Sequence, residues 1–280
     1  MKITFVVLHY CQPEVTIDCV ESLLSLEGEK EIVVVDNASP DGSGIVLQQK
    51  YETNNLVHVL LNKENLGFAS GNNSGYKYAK EQLDPDIIVV MNNDTLIKDK
   101  NFITKLNDYK LDQFHIIAPD ILTFKGRHQN PYKYRAVTKR EVKKNYIRKC
   151  LSLLFYSVPL LYKLKSFEDE NVQKTYVNDR IENVVPHGSV VIFTRKWIEI
   201  ENFAFYPGTF MYFEEDLLFL YIQSKGYKTI YEPRLQVVHL EDMSTNNAHR
   251  NFRKKMIFQN KKKLESYKVI LNFMNSTKLS

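Results

Sequence analysis

Runs of apolar residues alternate with amphipathic segments along the first third of the chain. The apolar runs have the length and the β-branched content of strands, whereas the segments between them repeat their apolar positions with the period of a helix. Continuously apolar strands need helices on both faces of their sheet, so we predict an open, mostly parallel α/β sheet. The predicted strands are Ile3–Leu8, Ile32–Val35, Leu56–Leu61 and Ile87–Met91, and the predicted helices are Val15–Leu26, Ile45–Tyr51 and Tyr76–Leu83.

Polar side chains stand at the ends of these predicted strands. Ligands of open α/β sheets bind beyond the carboxyl ends of the strands, so these side chains are candidates for a binding site. The glycine fingerprint of dinucleotide-binding oxidoreductases is missing after the first strand, where the sequence reads LHYCQPEV. The candidates are His9, Tyr10, Asp36, Asn37, Asn62, Asn92, Asn93 and Asp94.

Each of these features also has a purely structural interpretation. Asp36 is placed either to accept hydrogen bonds from a nucleoside or to cap the turn that follows it. The glycine- and asparagine-rich segment Asn62–Tyr76 either lets a ligand approach the backbone closely or only connects a strand to a helix. Asp94 either holds a divalent cation that bridges a diphosphate or belongs to a simple turn.

The second half of the chain begins with a change in composition. From Lys125 to Lys174 basic residues and tyrosines crowd together, and we interpret this segment as an insertion. Strand and helix patterns return in Val184–Trp197 and Phe210–Leu240, and Arg250–Phe273 is predicted to be a basic helix. The predicted organisation is a nucleotide-binding half (1–124), the insertion (125–183), a catalytic half of the same domain (184–245) and a C-terminal helix (246–280).

A second acidic cluster follows an aromatic segment. Glu214, Glu215 and Asp216 open an apolar helix, whose positive N-terminal end favours negative charge. Helix capping explains one or two of these acids, and the aromatic residues before them would exclude water and raise a carboxyl pKa towards that of a general base. His239 ends an apolar strand and is either a core histidine or, if it lies near Asp94, a metal ligand.

The positive charge of the chain is concentrated in the insertion. The 280 residues carry a formal charge of +5, and twelve Lys or Arg stand between Lys125 and Lys165 against one acid, Glu141. The apolar stretch Leu151–Leu164 is too short to span a bilayer. Basic and apolar residues on one element are typical of contact with an anionic membrane surface, and burial in a homodimer is the alternative. No nucleic-acid-binding motif accompanies the charge, so nucleic acid is not an expected partner.

The cysteines and the N-terminal sequence indicate the cellular compartment in which the protein is expected. Cys11, Cys19 and Cys150 form no CxxC pair and are odd in number, which indicates neither a disulfide framework nor a zinc site. The N-terminal sequence MKITFVVLHY is predicted to be a strand and not a targeting segment. We therefore expect a cytoplasmic protein, with contact at the cytoplasmic face of the membrane if the insertion binds lipid.

Seven motifs in a fixed order resemble glycosyltransferase family 2. They cover most of residues 1–124 and 184–245, and they are similar to the branch that builds bacterial surface polysaccharides, with rhamnosyl- and galactosyltransferase-like members. The resemblance implies the GT-A fold, a nucleotide-sugar donor, a Mn²⁺ or Mg²⁺ ion and inversion at the anomeric carbon. The motifs are VVLHY, VVVDNASPDGS, NLGFASGNNSGY, MNNDT, HGSVVIFTRK, FMYFEED and PRLQVVHL.

The resemblance also implies roles for single residues. Asp94 resembles the cation ligand of a DxD-like motif, in which Asn92 replaces the first carboxylate, and His239 is expected to complete the metal shell. Asp216 is preferred as the catalytic base with Glu215 in support, and a register shifted by one residue stays open. The implied donor-binding residues are His9, Tyr10, Asp36 (as the base-binding acid), Asn37, Asn65, Gly67, Phe68, Gly71, Asn72, Asn73, Asn92 and Asn93.

The acceptor side departs from the family pattern. Many members carry another acid and an arginine further along the helix of the EED motif, where this chain has Leu218 and either Tyr221 or Ile222. The expected function is inverting transfer of a sugar from a nucleotide-diphosphate donor to a saccharide acceptor, expected to be lipid-linked, in surface polysaccharide synthesis. The alternatives are a non-catalytic module that binds sugar nucleotides or saccharides, and a sugar nucleotidyltransferase.

Overall fold

A computed structural model describes residues 1–158, 176–240 and 252–277. Six of the seven elements predicted in the first third of the chain are present with ends shifted by at most two residues. The seventh, the predicted helix Tyr76–Leu83, is wrong in its bounds: the α-helix begins at Gly67 and ends at Tyr78, and a π-helical turn follows over Ala79–Leu83. The strands are β1 (Ile3–His9), β2 (Lys30–Asp36), β3 (Val57–Leu61), β4 (Ile87–Asn92), β5 (Thr95–Leu96), β6 (Ile116–Thr123), β7 (Ile181–Glu182), β8 (Val190–Thr194) and β9 (Thr229–His239). The α-helices are α1 (Pro13–Leu24), α2 (Ser43–Tyr51), α3 (Gly67–Tyr78), α4 (Phe102–Leu106), α5 (Lys139–Ser157), α6 (Arg195–Ile200), α7 (Glu214–Lys225) and α8 (Phe252–Thr277).

The strands form one sheet in the order β3-β2-β1-β4-β8-β6-β9-β5, with β7 paired to β9. The pairs β1–β2, β1–β4 and β2–β3 are parallel, as the apolar runs predicted. The pair β6–β9 is also parallel, although β6 was not predicted from the sequence. Strand β8 is antiparallel to both of its neighbours, β4 and β6. The N-terminal end of β8 therefore lies at the same sheet edge as the carboxyl end of β4.

Alternate residues of the central strands enter two separate hydrophobic clusters. Val34 and Val89 pack in one cluster with residues of α1, whereas Val33 and Val90 pack in the other with residues of α3 and α7. Successive side chains of a strand point to opposite faces, so a strand covered on both faces must be apolar at every position. This is the physical reason for the continuous runs Ile32–Val35 and Ile87–Met91.

Helices α5 and α8 pack beside α7. Val142 of α5, Leu217 of α7 and Ile270 of α8 share a third hydrophobic cluster, so the insertion and the C-terminal helix together support the helix that carries the acidic cluster. The predicted C-terminal helix is confirmed as α8. Of the predicted apolar stretch Leu151–Leu164, the part up to Ser157 belongs to α5, and the part from Pro159 onward lies outside the described residues. None of the helices described in the three ranges is long and apolar enough to cross a bilayer.

Candidate active site

The carboxyl ends of β1, β2 and β4 meet at one edge of the sheet. In the strand register His9 pairs with Asp36, and Leu8 pairs with Asn92. The polar strand ends singled out in the sequence are therefore neighbours in space. What each side chain does at this edge depends on whether it faces the open side or the helices below.

Asp36 takes part in the turn that follows β2. Its carboxylate accepts hydrogen bonds from the backbone and the hydroxyl of Ser39, and only 6% of the residue is exposed. A Cβ atom on Gly44 would lie 2.3 Å from Oδ2 of Asp36, so the start of α2 must remain free of a side chain for the carboxylate to fit. The turn-capping role is present in the structure, and binding of a nucleoside by Asp36 stays a prediction.

His9 and Asn93 point away from the open edge. The ring of His9 is fully buried, with Nδ1 2.6 Å from the Thr16 hydroxyl and Nε2 2.8 Å from the Ser43 hydroxyl. Asn93 donates its amide to the same Thr16 hydroxyl over 2.9 Å. These contacts tie the strand ends to α1 and α2, so both residues are placed as supports, in contrast with the direct donor contact expected from the sequence. Tyr10, which follows β1, is 39% exposed at the edge.

Asn37 organises the loop that leads into α3. Its side-chain amide donates to Asn65 Oδ1 (3.0 Å) and to the carbonyl of Gly67 (3.1 Å), and its own oxygen accepts from Asn62 (3.2 Å) and from the backbone of Leu66 (3.0 Å). All hydrogen-bonding groups of the Asn37 amide are thus engaged within the chain. Asn37 and Asn65 therefore shape the loop predicted to lie beside the donor.

The segment Asn65–Asn73, expected to be a loop beside the donor, is helical from Gly67 onward, so Gly71, Asn72 and Asn73 lie in α3 and have distinct surroundings. Asn73 joins α3 to the second half of the chain, because its amide bonds the backbone of Ala204 and Phe205. Asn72 is 1% exposed, donates to the carbonyl of Phe68, and leaves its Oδ1 without a hydrogen-bond partner in the described part of the chain. At Gly71 a Cβ atom would come within 2.8 Å of a Leu8 methyl group, so this glycine lets α3 approach β1.

Gly67 brings the loop against the segment that precedes the acidic cluster. Its φ of +78° is left-handed, and a Cβ atom there would lie 2.3 Å from the carbonyl oxygen of Phe210. The backbone N–H of Phe68 donates to that same oxygen over 2.6 Å. The two halves of the site are thus joined backbone to backbone at a position that only glycine fits.

Asp94 and His239 meet where β5 pairs with β9. Nε2 of His239 lies 3.3 Å from Oδ1 of Asp94, and Nδ1 of His239 lies 2.7 Å from Oε1 of Gln129. An amide oxygen can only accept, so Nδ1 of His239 donates to Gln129 and its other ring nitrogen, Nε2, faces Asp94. Asp94 is 5% exposed, and its Oδ1 has no hydrogen-bond partner among the residues that the structure describes. A carboxylate oxygen and an imidazole nitrogen that face each other in this way suit a divalent cation.

A cavity of about 500 Å³ extends from the strand ends to the acidic cluster. Asn92 lines it on the side of the strand ends, and Glu214 and Glu215 line it on the side of α7. His187, which also lines the cavity, stacks edge-on against His239 with 6.0 Å between ring centroids, so the cavity is adjacent to the Asp94–His239 pair. The lining residues are Phe68, Asn92, Tyr132, Asn145, Lys149, His187, Gly188, Ser189, Met211, Tyr212, Phe213, Glu214, Glu215, Lys263 and Tyr267.

The three acids of the cluster have different surroundings. Asp216 is 2% exposed, does not line the cavity, and accepts two hydrogen bonds of 2.6 and 2.7 Å from the ammonium group of Lys133. Glu215 is partly exposed, lines the cavity, and accepts a hydrogen bond of 3.2 Å from the backbone N–H of Gly188. The geometry therefore favours the register in which Glu215, and not the preferred Asp216, faces a bound acceptor.

A strained turn presents these acids at the start of α7. Tyr212 and Phe213 both adopt left-handed backbone conformations, with φ of 78° and 68°. Such a conformation costs about 1–2 kcal/mol at a residue other than glycine. Packing against α8 offsets this cost, since Phe213 stacks on Tyr267 with 4.3 Å between ring centroids.

Burial changes the acidity of both glutamates. It raises the pKa of Glu214 to about 8, with a further contribution from the charge of Glu215. Burial also raises the pKa of Glu215, where Asp216 adds to the rise and the backbone N–H of Gly188 opposes it. A carboxylate with a raised pKa is a stronger base, so Glu215 is suited to remove a proton near neutral pH.

The sequence interpretation did not single out His187, Gly188 and Ser189, which line the same cavity. The predicted site residues follow the carboxyl ends of strands, whereas these three residues come immediately before β8. Because β8 runs antiparallel to β4, its N-terminal end brings them to the binding edge, and the backbone N–H of Asn92 donates to the carbonyl of Ser189 over 2.8 Å. The motif HGSVVIFTRK contained this signal.

One curated protein of similar sequence is a hexosyltransferase. The low-salt glycan biosynthesis hexosyltransferase Agl10 of Haloferax volcanii is 27% identical over 101 residues, which are 36% of this chain and 31% of that protein. The chain thus matches about a third of the length of this curated relative.

Solved structures with the same fold come from two further organisms. The mannosyltransferase PcManGT from Pyrobaculum calidifontis, in complex with GDP-Man and Mn²⁺, superposes with a TM-score of 0.53 at 15% identity, over 98% of this chain and 73% of that one. TarS 1-349 of S. aureus, in complex with UDP-GlcNAc, superposes with a TM-score of 0.55 at 14% identity, over 89% of this chain and 62% of that one. The GT-A fold expected from the sequence is confirmed.

The sequence model of the family described as Glycosyl transferase family 2 matches residues 4–167, which is more than half of the chain. The match begins at β1 and includes the polar strand ends, the Asn65–Asn73 loop and Asp94. This chain therefore belongs to glycosyl transferase family 2.

Proposed function

We propose that this glycosyltransferase moves a sugar from a nucleotide-diphosphate donor to a saccharide acceptor with inversion at the anomeric carbon. The observation that carries the proposal is the shared cavity: Asn92 lines it at the strand ends, Glu215 lines it at α7, and the Asp94–His239 pair lies beside it. A metal ligand pair, a carboxylate base and space for two substrates are the parts that this reaction needs.

Asp94 and His239 would hold a Mn²⁺ or Mg²⁺ ion. The support is the buried Oδ1 of Asp94, which accepts no hydrogen bond within the described ranges, and the ring nitrogen Nε2 of His239 3.3 Å away. Within those ranges no cluster of three or more His, Cys, Asp or Glu side chains is found, so the two residues would leave several positions for donor oxygens and water. When bound, such an ion neutralises the charge that develops on the departing nucleoside diphosphate.

Glu215 would act as the general base. It would accept the proton of an acceptor hydroxyl while that oxygen attacks the anomeric carbon, and the bond to the diphosphate breaks with its electron pair leaving on the diphosphate oxygen. Gly188 holds one carboxylate oxygen of Glu215, which leaves the other free to meet the hydroxyl. A single displacement from the face opposite the leaving group inverts the anomeric centre and needs no covalent intermediate.

The donor nucleoside would lie over the ends of β1 and β2, beside Asp36 and the Asn65–Asn73 loop. The acceptor would enter from the side of α5 and α8, and we propose a lipid-linked saccharide used in surface polysaccharide synthesis at the cytoplasmic face of a membrane. Helix α5 supports contact with an anionic lipid surface, since Ile147, Leu151 and Leu154 are 59–62% exposed on a helix rich in lysine and arginine.

A thermal-shift screen of nucleotide sugars with and without Mn²⁺ tests the proposal. Binding to the folded state raises Tm with the logarithm of ligand concentration over Kd, so the donor should raise Tm in the presence of Mn²⁺ and far less in EDTA. Enzymatic hydrolysis or transfer of the same sugar nucleotide should follow. A stabilising nucleotide sugar that is never turned over would point to a binding module, and stabilisation that is equal in EDTA would contradict the proposed cation site.

A further inference from the structure

Two lysines from the helices beside α7 line the cavity that contains Glu215. Lys149 belongs to α5 and Lys263 to α8, and the packing of these two helices brings both side chains to the same wall. The ammonium group of Lys263 lies 4.8 Å from the ring centroid of Tyr212, immediately before the acidic cluster. Neither lysine belongs to the strand ends at which Asp94 and His239 stand.

The positive charge of Lys263 is not compensated by the residues that the structure describes. No carboxylate in the described ranges forms an ion pair with it, and burial together with the neighbouring charge of Lys149 lowers its pKa to about 8. An uncompensated ammonium group in a cavity that a second lysine also lines favours a bound anion. A phosphate group is an anion of suitable size and charge for such a position.

The cavity continues along α5 into an apolar groove. A second cavity of about 540 Å³ shares Asn145 and Lys149 with the first and is also lined by Arg148, Leu151 and Phe155. Leu151 is 62% exposed, and Phe155 lies one helical turn further along α5. Moving outward from Glu215, a ligand would therefore meet cationic side chains first and apolar side chains second.

We propose that Lys149, Lys263 and Arg148 bind a phosphate or diphosphate group of the acceptor, and that Leu151 and Phe155 hold the apolar chain attached to it. The inference rests on the proposed function, because it places the saccharide end of the acceptor at Glu215. In the ligand, a saccharide is followed by a phosphate and then by an apolar chain. Along the groove, the carboxylate of Glu215 is followed by the ammonium groups and then by the apolar side chains, so the two orders match. By the proposed function, the phosphate of the donor would lie elsewhere, at the Asp94–His239 pair.

Isothermal titration calorimetry with farnesyl diphosphate in EDTA tests the phosphate half of this site. EDTA removes the divalent cation through which a diphosphate would bind at Asp94. The wild-type chain should bind farnesyl diphosphate, and both Lys263→Gln and Lys149→Gln should weaken binding about tenfold, because a charge-assisted hydrogen bond is lost. Lys261→Gln, which removes an exposed lysine of the same helix, should leave the affinity unchanged.

The apolar half is tested with Leu151→Ser and with inorganic pyrophosphate. The variant should weaken farnesyl diphosphate several-fold, since part of the apolar chain loses its contact, while the weaker binding of pyrophosphate stays the same. Leu56→Ser, at an exposed leucine just before β3, serves as the matched control. Equal affinity of the wild type for farnesyl diphosphate and pyrophosphate would overturn the proposal, as would wild-type affinity in Lys263→Gln.

Two further measurements distinguish this acceptor site from the donor site and from a dimer interface. Asp94→Ala should retain farnesyl diphosphate binding in EDTA, and loss of binding in that variant would place the ligand at the donor site and overturn the inference. Sedimentation of the wild type and Leu151→Ser reports whether Leu151 is covered by a second copy, which would also overturn it. Failure of the proposed function would appear separately, as absent Mn²⁺-dependent binding of nucleotide sugars in the wild type.

Discussion

The backbone N–H of Gly188 donates a hydrogen bond to Oε1 of Glu215 over 3.2 Å, and a Cβ atom on Gly188 would lie 2.6 Å from the same oxygen. The residue before β8 thus holds the carboxylate at the start of α7 in one orientation. This contact fixes the position of Glu215 in the cavity, whereas the neighbouring Asp216 is held by Lys133 outside it. Position, more than acidity, distinguishes the two candidates for the base.

Glu215→Gln should lower the rate of transfer about 10²- to 10⁴-fold, because removal of a general base typically costs that much. The Mn²⁺-dependent affinity for the donor should change little, since Glu215 lies on the acceptor side of the cavity. Steady-state kinetics and calorimetric donor titrations measure the two effects.

Asp216→Asn is the matched comparison. It should lower kcat less than tenfold and lower the free energy of unfolding by about 2 kcal/mol, because Lys133 loses its buried partner. The opposite ranking, with near-normal turnover in Glu215→Gln and none in a folded Asp216→Asn, would assign the base to Asp216.

Asp94→Asn should abolish the Mn²⁺-dependent part of donor binding while the fold is kept. The neutral amide is a weak ligand for a divalent cation, and nothing in the described ranges depends on Oδ1 of Asp94 for a hydrogen bond. His239→Gln should weaken the apparent Mn²⁺ affinity about tenfold. The measurement is calorimetry with the nucleotide sugar in Mn²⁺ and in EDTA, and Asp112→Asn, at an exposed acid, is the control. Unaltered Mn²⁺ dependence in Asp94→Asn would remove Asp94 from the site.

Much of the fold follows from the sequence, because continuous apolar runs have few alternatives to a buried parallel strand. The runs Ile3–Leu8, Ile32–Val35 and Ile87–Met91 are strands, and their polar ends meet at one edge as expected. Apolar pattern does not report strand direction, however. The antiparallel orientation of β8, which brings His187 to the site, depends on the path of the chain between β6 and β8 and is not encoded in local periodicity.

The direction in which a side chain points at a strand end could not be predicted from the sequence either. His9 and Asp94 both follow an apolar run, yet His9 turns inward to Thr16 and Ser43 whereas Asp94 faces His239. The choice between Glu215 and Asp216 also depends on side-chain direction. Consecutive residues of a helix point about 100° apart, so a one-residue register decides which acid reaches the cavity, and the contact of Lys133 with Asp216 that favours Glu215 is visible only in three dimensions.

The pH dependence of stability should change in Glu214→Gln. The pKa of Glu214 is raised from 4.5 to about 8 in the folded state, so its stabilising contribution is complete below pH 4.5 and is lost as the pH rises through 8. The loss for the wild type is on the order of 5 kcal/mol, since each pKa unit corresponds to about 1.4 kcal/mol. Glutamine stays neutral, so the variant should gain free energy of unfolding relative to the wild type between pH 5 and pH 9. Urea unfolding at these two pH values measures the difference, and parallel pH profiles would contradict the buried, protonated state of Glu214.

Gly67→Ala should destabilise the chain more than Gly42→Ala. Both glycines have left-handed backbones, with φ of +78° and +76°, so both variants carry a conformational penalty of about 1 kcal/mol. Only at Gly67 does the added methyl group meet another atom, the carbonyl oxygen of Phe210 at 2.3 Å, whereas nothing lies within 4 Å at Gly42. We expect a further loss of about 2 kcal/mol and weaker donor binding for Gly67→Ala. Equal melting temperatures for the two variants would show that the backbone around Gly67 rearranges to accept the methyl group without loss of stability.

The antiparallel pairing of β4 with β8 aligns Met91 with Val190, residues about a hundred positions apart. Closure of so long a stretch of chain is entropically slow, whereas the pairing of β1 with β2 aligns Ile3 with Lys30 and closes a far shorter stretch. A refolding molecule should consequently assemble the ends of β1 and β2 before it assembles the rest of the site. During synthesis on the ribosome the order would be the same: a nascent chain that has emerged only as far as β6 would already hold the ends of β1, β2 and β4, and it would become an enzyme only after α7 and β9, which carry Glu215 and His239, had joined them.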